Sequence, residues 1–189
     1  FRRVLFRSRA KPAEVAPSAA GTWTANEVVK KTLLDTHVRD NLRMLGEDRP
    51  GGNLYRSSNT SVATATTTTV PWDALRWASG TTSPVTAVPS SQLTATVSGL
   101  YYFSATVVFA ANATGDRIVT VLSSAAGSGE AASASERAVS TASTQTVINI
   151  SGIENMTAGD YFYVTAWQNS GGALNIQSGS EFQITLLSP

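Results

Sequence analysis

The fold is decided by two stretches, GLYYFSATVVF at residues 99–109 and YFYVTAW at residues 161–167. Both consist largely of the β-branched and aromatic residues that favour strands, and successive residues of a strand point to opposite sides. Similar stretches follow one another along the chain, separated by turn signals such as NATGD and TAGD. They are LYRSSN (54–59), TTTTVPWD (66–73), LTATV (93–97), RIVTVLSS (117–124), TVINISGI (146–153), LNIQ (174–177) and FQITLL (182–187). The pattern predicts an all-β fold, an antiparallel jelly-roll sandwich of about 8–10 strands.

The same two stretches carry large apolar side chains on both sides. A sheet with one solvated face alternates apolar and polar residues, whereas here an apolar or aromatic residue follows another. One side fills the core, and we expect a further copy of the chain to cover the other. The residues predicted to form that interface are Tyr102, Tyr161, Tyr163 and Trp167. Partial cover by a helix or a loop of the same chain is the alternative.

Upstream of the body, residues 22–50 carry a helical pattern. Thr24 and Glu27 have the spacing of a capping box, and Pro50 ends the segment, so we predict a helix from about residue 25 to about residue 46. Its apolar residues recur at steps of four, four and three and share one face: Leu34, Val38, Leu42 and Leu45. The helix either packs on the body or forms a short coiled coil with its copies.

Charge is concentrated at the start of the chain. Five of the 14 basic residues fall within the first 11 positions, and the remainder has nine basic and 13 acidic residues. Residues 1–8, FRRVLFRS, resemble a translated sequencing-adapter remnant and are treated as non-native, and the rest of the segment 1–21 is predicted to be a flexible leader. The body, residues 53–189, is therefore mildly acidic and rich in Ser and Thr. This argues against a nucleic-acid partner, and no apolar run is long enough for membrane insertion.

The residues that carry most enzyme chemistry are scarce. The chain has no Cys and one His, His37 on the predicted helix, and it contains no recognisable catalytic motif. We therefore predict a protein that is not an enzyme and uses no cofactor or metal. Loops between rigid strands are where recognition concentrates. The candidate ligand-binding loop residues are Asn112, Thr114, Asn169 and Ser170.

From about residue 53 to the end, the chain resembles the globular-head jelly roll of complement and tumour-necrosis-factor-like proteins. The matching pieces are GLYYFS (99–104), MTAGDYFYV (156–164) and FQITLL (182–187), in the family's order and spacing. The resemblance implies a tight homotrimer built around aromatic residues of the inner sheet. The short Ala-, Ser- and Gly-rich loops give no basis for carrying over a calcium site or a receptor-binding residue.

The segment WTANEVVKKTLLDTHVRDNLRML (23–45) is similar to one that is common in structural proteins of tailed bacteriophages. Asn26 and Asp35 depart from that pattern, which usually has Gly and Asn at these positions. The two resemblances together imply a homotrimeric virion protein, a fibre, spike or head decoration, located on the virion or outside the cell. The N-terminal segment would bind another virion protein, and the head would bind a host-surface glycan or protein. The alternatives are a secreted bacterial carbohydrate- or protein-binding module and a structural cap with no ligand.

Overall fold

The computed structural model describes residues 49–80, 83–85, 87–125, 131–139 and 144–189, and the single residues Leu34, Val38, Arg39 and Leu42. Within 131–139 it describes the backbone and the side chains of Glu136 and Ala138. These ranges contain twelve strands. They are β1 (Gly51–Tyr55), β2 (Thr60–Val62), β3 (Thr68–Thr69), β4 (Ala74–Ser79), β5 (Gln92–Thr94), β6 (Gly99–Phe109), β7 (Asp116–Ser123), β8 (Ala131–Val139), β9 (Thr146–Met156), β10 (Tyr161–Gln168), β11 (Leu174–Ile176) and β12 (Glu181–Ser188).

The strands form two antiparallel sheets. In the seven-stranded sheet, β9 pairs with one edge of β6, and β12, β1 and β4 follow in that order from its other edge. The short strands β11 and β2 extend the latter edge beyond the end of β12. In the five-stranded sheet, β10 is central, with β7 and then β8 on one edge and β3 and β5 on the other. The expected all-β antiparallel sandwich is therefore confirmed.

The core lies between the sheets and is built by alternate residues of each strand. In β6 the buried positions begin with Tyr101 and Phe103, and in β10 they include Phe162 and Val164. The rings of Phe103 and Phe162 meet across the two sheets with their centroids 5.0 Å apart. Burying a side chain of this size stabilises the fold by about 1.5–3 kcal/mol. Strong alternation in these two strands thus fixes which face of each sheet is internal.

Three strands have no counterpart among the predicted stretches: β2 (TSV), β4 (ALRWAS) and β8 (AASASERAV). β2 has only three residues, and the alanine and serine of the other two carry little β-propensity, so these sequences give a weak signal. The strands form because β11, β1 and β7 offer them an edge. The first strand also begins at Gly51, two residues before the predicted start of the body at residue 53. A Cβ at Gly51 would lie 3.0 Å from the Trp77 ring, so glycine lets that ring lie on the strand.

The chain divides into two compact units, Phe1–Asn41 and Leu42–Pro189. Most of the predicted N-terminal helix, with Leu45 and His37, lies outside the described residues. Leu34 and Leu42 have α-helical conformation, and Leu34, Val38 and Leu42 are exposed. The helix itself and its association with copies therefore stay predictions.

Candidate interface surfaces

The outer face of the seven-stranded sheet has an apolar end. Tyr102 of β6 pairs in register with Ile153 of β9 on one side and Thr185 of β12 on the other. Leu100 and Leu187 occupy the next positions on the same face, where β6 and β12 approach the end of the chain. Ile153 is 59% exposed, and Leu100 and Leu187 are each 37% exposed. We call Leu100, Tyr102, Ile153 and Leu187 the apolar end.

The apolar row continues towards the edge of the sheet. Thr185 pairs with Gly51 of β1, and the Trp77 ring lies over that glycine. Across the strands from β4 to β9, the row thus runs through Trp77, Thr185, Tyr102 and Ile153, with Gly51 beneath the Trp77 indole. Trp77 is itself partly exposed. A contiguous exposed apolar row of this kind is typical of a protein–protein interface.

The other half of the same face is polar, and its side chains bind one another. The side-chain Nδ2 of Asn53 donates hydrogen bonds to Glu181 Oε2 at 3.3 Å and to Gln183 Oε1 at 3.4 Å. Gln183 Nε2 in turn donates to Ser104 Oγ at 2.9 Å. Arg76 forms an ion pair with Glu181 at 3.6 Å. This network spans four strands, so the polar half already has internal partners and offers less to an apolar contact.

The structure separates the residues that we predicted to form one interface. Tyr161, Tyr163 and Trp167 lie on the outer face of the five-stranded sheet, whereas Tyr102 lies on that of the seven-stranded sheet. The outer faces of a sandwich point in opposite directions, so Tyr102 does not join the other three. Tyr163 is only 9% exposed, and its ring centroid is 6.1 Å from that of Tyr161. Ile153 and Leu187, which complete the apolar end, are absent from the predicted set although both lie in predicted strands.

The four loop residues are brought to one end of the sandwich. Asn169 Oδ1 accepts a hydrogen bond from the backbone N–H of Asp116, and the backbone N–H of Asn169 donates to the Asp116 carbonyl at 3.3 Å. Asn112 Oδ1 accepts from the Thr114 amide at 2.8 Å, and Ser170 Oγ donates to the Gly172 carbonyl at 3.2 Å. These polar groups are therefore engaged in holding the two loops in shape.

A buried arginine lies beneath these loops. Arg117 is 0% exposed and donates to the carbonyl oxygens of Asn112, Thr114 and Asp116 at 3.4, 3.0 and 3.0 Å. Burial lowers the pKa of Arg117 below its usual value, and the charge of Asp116 acts in the opposite direction. The guanidinium fork suits this role because its donors reach several carbonyls at once. Sequence reasoning had treated Arg117 only as the start of a strand.

A second polar cluster ties the loop after β1 to the segment before β4. Arg56 forms an ion pair with Asp73 at 3.4 Å, and Asp73 accepts hydrogen bonds from the Ser57 amide and the Ser58 hydroxyl, each at 2.6 Å. Burial alone would raise the pKa of Asp73, but the hydrogen bonds from Ser58 and Ser57 and the charge of Arg56 outweigh it. The pKa therefore lies below its ordinary value.

Among the described residues, no group of three or more His, Cys, Asp or Glu side chains is placed to hold a metal ion. None of the helical residues described belongs to a segment with the length and apolarity to cross a bilayer.

The strand order and register define an antiparallel β-sandwich of the jelly-roll class shared by complement heads and tumour-necrosis-factor-like proteins. Among solved structures, the Eiger tumour necrosis factor of S. frugiperda is 11% identical with a TM-score of 0.56, covering 75% of this chain and 94% of that one. The globular domain of the zebrafish complement 1qA protein is 15% identical with a TM-score of 0.55, covering 74% and 98%. Murine APRIL is 17% identical with a TM-score of 0.57, covering 74% and 100%.

At these identities the similarity shows the fold, and the expected complement-head and tumour-necrosis-factor-like jelly roll is confirmed. No family model matches the sequence, and no curated protein does.

Proposed function

We propose that this chain is the subunit of a non-enzymatic homotrimer that presents its jelly roll on a phage virion for surface binding. The observation that carries the proposal is the apolar end of the seven-stranded sheet, where Ile153 is 59% exposed beside Tyr102. Removing a partly exposed aliphatic side chain from water contributes about 1 kcal/mol, and each copy would bury several. The resemblance to complement heads and tumour-necrosis-factor-like proteins favours three copies.

The contrast between the two sheets supports this choice of interface. Among described side chains in strands, all the exposed large apolar ones belong to the seven-stranded sheet: Leu75, Trp77, Leu100, Val147, Ile153 and Leu187. Four of the six, Trp77, Leu100, Ile153 and Leu187, lie in or beside the apolar end, whereas Leu75 and Val147 lie apart from it. Exposed apolar groups gain from contact with another apolar surface, so this cluster favours a single dominant interface at the apolar end.

The trimer is tested by multi-angle light scattering on the full chain at micromolar concentration, with Ile153→Asp as the disrupting variant. A buried carboxylate without a partner is strongly unfavourable, so we expect this variant to be monomeric. Val147→Asp is the matched control, since Val147 is an exposed aliphatic residue of the same strand about 20 Å away. A monomeric wild type rejects the trimer, and equal dissociation by both variants places the interface elsewhere on β9.

The virion setting rests on the phage-like segment at residues 23–45. We propose that this segment binds another virion protein and that Leu34, Val38, Leu42 and Leu45 provide its apolar contacts. Immunogold labelling of purified particles with an antibody against the jelly roll tests the location, with preimmune serum as the control. Gold on a defined virion structure supports the proposal. Particles without gold, together with protein recovered from the culture supernatant, would favour a secreted binding module.

A further inference from the structure

The outer face of the five-stranded sheet carries a row of hydroxyl residues in register. Thr165 of β10 pairs with Thr69 of β3 on one side and with Thr120 of β7 on the other. Directly paired residues of neighbouring strands lie on the same face about 5 Å apart, so three hydroxyl-bearing residues cross three strands in one line. We call Thr69, Thr165 and Thr120 the hydroxyl row.

Aromatic positions lie on both sides of this row. Tyr163 precedes Thr165 by two residues on β10, and Trp167 follows it by two, so both share its face. Tyr161 extends the series, and its ring is in contact range of Tyr163. Tyr161, Thr165 and Trp167 are each partly exposed. We call this series, Tyr161, Tyr163, Thr165 and Trp167, the platform. It is about 20 Å long from Tyr161 to Trp167, at about 3.4 Å per residue.

This face is neutral along its centre. The strands β10 (YFYVTAWQ), β3 (TT) and β5 (QLT) contain no charged residue. On β7 the charged residues are Asp116 at its end and Arg117, whose side chain is buried. The remaining charged residues of this sheet, Glu136 and Arg137, belong to its edge strand β8. Charged groups therefore lie at the margins of the face, away from β10, which disfavours acidic polymers.

Aromatic rings interleaved with hydroxyl groups match the two surfaces of a sugar. The C–H face of a pyranose ring stacks on the electron-rich face of Tyr or Trp, and its hydroxyl groups exchange hydrogen bonds with Thr. Thr165 Oγ1 donates to the Thr120 carbonyl at 3.5 Å, and its oxygen retains lone pairs that accept from a ligand hydroxyl. The aliphatic residues beside these rings, Ile118 and Leu122 of β7, are only partly exposed. The more exposed aliphatic groups, which an apolar protein interface would need, lie on the opposite sheet.

The platform is held rigidly. β10 pairs with β7 over seven consecutive residues, from Phe162 to Gln168, and with β3 and β5 on its other edge. The core residues Phe162 and Val164 anchor it from beneath. A site fixed in this way loses little conformational entropy when a ligand binds, which favours affinity from few contacts.

We infer that the outer face of the five-stranded sheet binds a neutral oligosaccharide lying along β10, with Tyr161 and Trp167 stacking on sugar rings and the Thr165 hydroxyl oxygen accepting a hydrogen bond from a sugar hydroxyl between them. The inference names the ligand class for the surface binding proposed above, and it rests on that function for its biological setting. Because the apolar end of the seven-stranded sheet faces the other way, self-association through it leaves this face uncovered.

The test uses the full chain and six-residue probes: cellohexaose, fully N-acetylated chitohexaose and maltohexaose as neutral sugars, with a heparin hexasaccharide as the acidic one. Binding is measured by titration calorimetry and by tryptophan fluorescence, since a sugar stacked on Trp167 changes its emission. We expect at least one neutral probe to bind and the acidic probe to bind at least tenfold more weakly. Absence of binding by all three neutral probes, or preference for heparin, overturns the inference.

Three variants locate the site. Trp167→Ala and Tyr161→Ala remove the stacking surfaces and are expected to weaken binding at least tenfold. Thr165→Val keeps the shape and removes only the hydroxyl, so it preserves the fold and is expected to weaken binding several-fold. Tyr55→Ala, at an outward-facing tyrosine of the seven-stranded sheet, is the matched control and should bind as the wild type does. Unchanged binding in Thr165→Val and Trp167→Ala, or equal loss in Tyr55→Ala, overturns the assignment.

Light scattering on each variant keeps the two proposals separate. A trimer that binds no neutral sugar overturns the oligosaccharide site and leaves the trimer standing. A monomer that binds a neutral sugar through Trp167 overturns the trimer and leaves the oligosaccharide site standing.

Discussion

Replacing Gly152 with alanine tests how closely the core is packed beneath the apolar end. Gly152 of β9 pairs with Phe103 of β6, and a Cβ at this position would lie 2.5 Å from Phe103 Cζ and 2.9 Å from Cε1. Real Cβ atoms essentially never come this close to a neighbouring atom, so the ring must move by about 1 Å. It cannot move freely, because it is 1% exposed and packed against the Phe162 ring, with the two ring planes tilted by 43°.

The magnitude follows from two opposing effects. Inserting a methyl group into a packed core costs about 1–3 kcal/mol, and removing glycine from a strand returns about 0.5–1 kcal/mol because the unfolded chain becomes less flexible. We therefore expect Gly152→Ala to lower the free energy of unfolding by about 1–2 kcal/mol. Gly152→Val, with two further methyl groups against the same ring, should lower it more.

The assay is urea unfolding followed by circular dichroism, at one protein concentration because self-association shifts apparent stability. Gly172→Ala is the matched control, since a Cβ there would meet nothing within 4 Å. The sharper test is a double-mutant cycle with Phe103→Leu, which trims the ring: the two substitutions together should destabilise less than the sum of the two alone. Gly152→Ala as stable as the wild type, or strictly additive effects in the cycle, would refute the packing argument.

Three further predictions concern the polar clusters. Because the pKa of Asp73 is lowered in the fold, its carboxylate stabilises the protein at pH values above its ordinary pKa of 3.8, and this stabilisation is lost as pH falls through the lower folded value. Asp73→Asn should therefore flatten the pH dependence of the urea midpoint between about pH 5 and pH 2. A pH dependence as steep as that of the wild type contradicts this. Gly115→Ala should lower the free energy of unfolding by about 2 kcal/mol or more, because Gly115 has φ +75° and a Cβ would lie 2.2 Å from Asn169 Oδ1; a wild-type melting temperature would rule that out. Arg117→Lys should destabilise by about 1–3 kcal/mol, because one ammonium cannot reproduce the bonds to three carbonyls, and equal stability of the two proteins in thermal melts would count against it.

Periodicity predicted the strands well where side chains are large and gave no information on how strands assemble. The alternation in β6 and β10 correctly separates Tyr101 and Phe162, which are buried, from Tyr102 and Trp167, which face outward. Which sheet a strand joins depends on pairing between residues far apart in the chain, and no local pattern records it. Tyr102 and Trp167 were therefore grouped as one interface although β6 and β10 lie in opposite sheets.

The missed residues have a related cause. Ile153 is an ordinary member of a predicted strand, and only its register beside Tyr102, set by pairing between β6 and β9, makes it part of an exposed surface. The strand β8 was missed because an Ala- and Ser-rich sequence has no preference that local reasoning can detect. Arg117 occupies an inward-facing position of β7, as Val119 and Val121 do, but nothing in the sequence shows that loop carbonyls will surround it there.

The position of Arg117 also bears on where recognition takes place. Loops at the end of a sandwich are the usual place to seek a ligand, and the sequence directed attention to Asn112 and Asn169 for that reason. In the structure both side-chain amide oxygens accept hydrogen bonds from the backbone of the same loop cluster, and the Arg117 guanidinium beneath them binds the carbonyl oxygens of Asn112 and Thr114. A ligand at this end would have to displace bonds that hold the loops together. On the flat face of β10, by contrast, a ligand meets partly exposed rings and hydroxyls on a backbone that the ladder already satisfies, so the sheet face is the less costly place to bind.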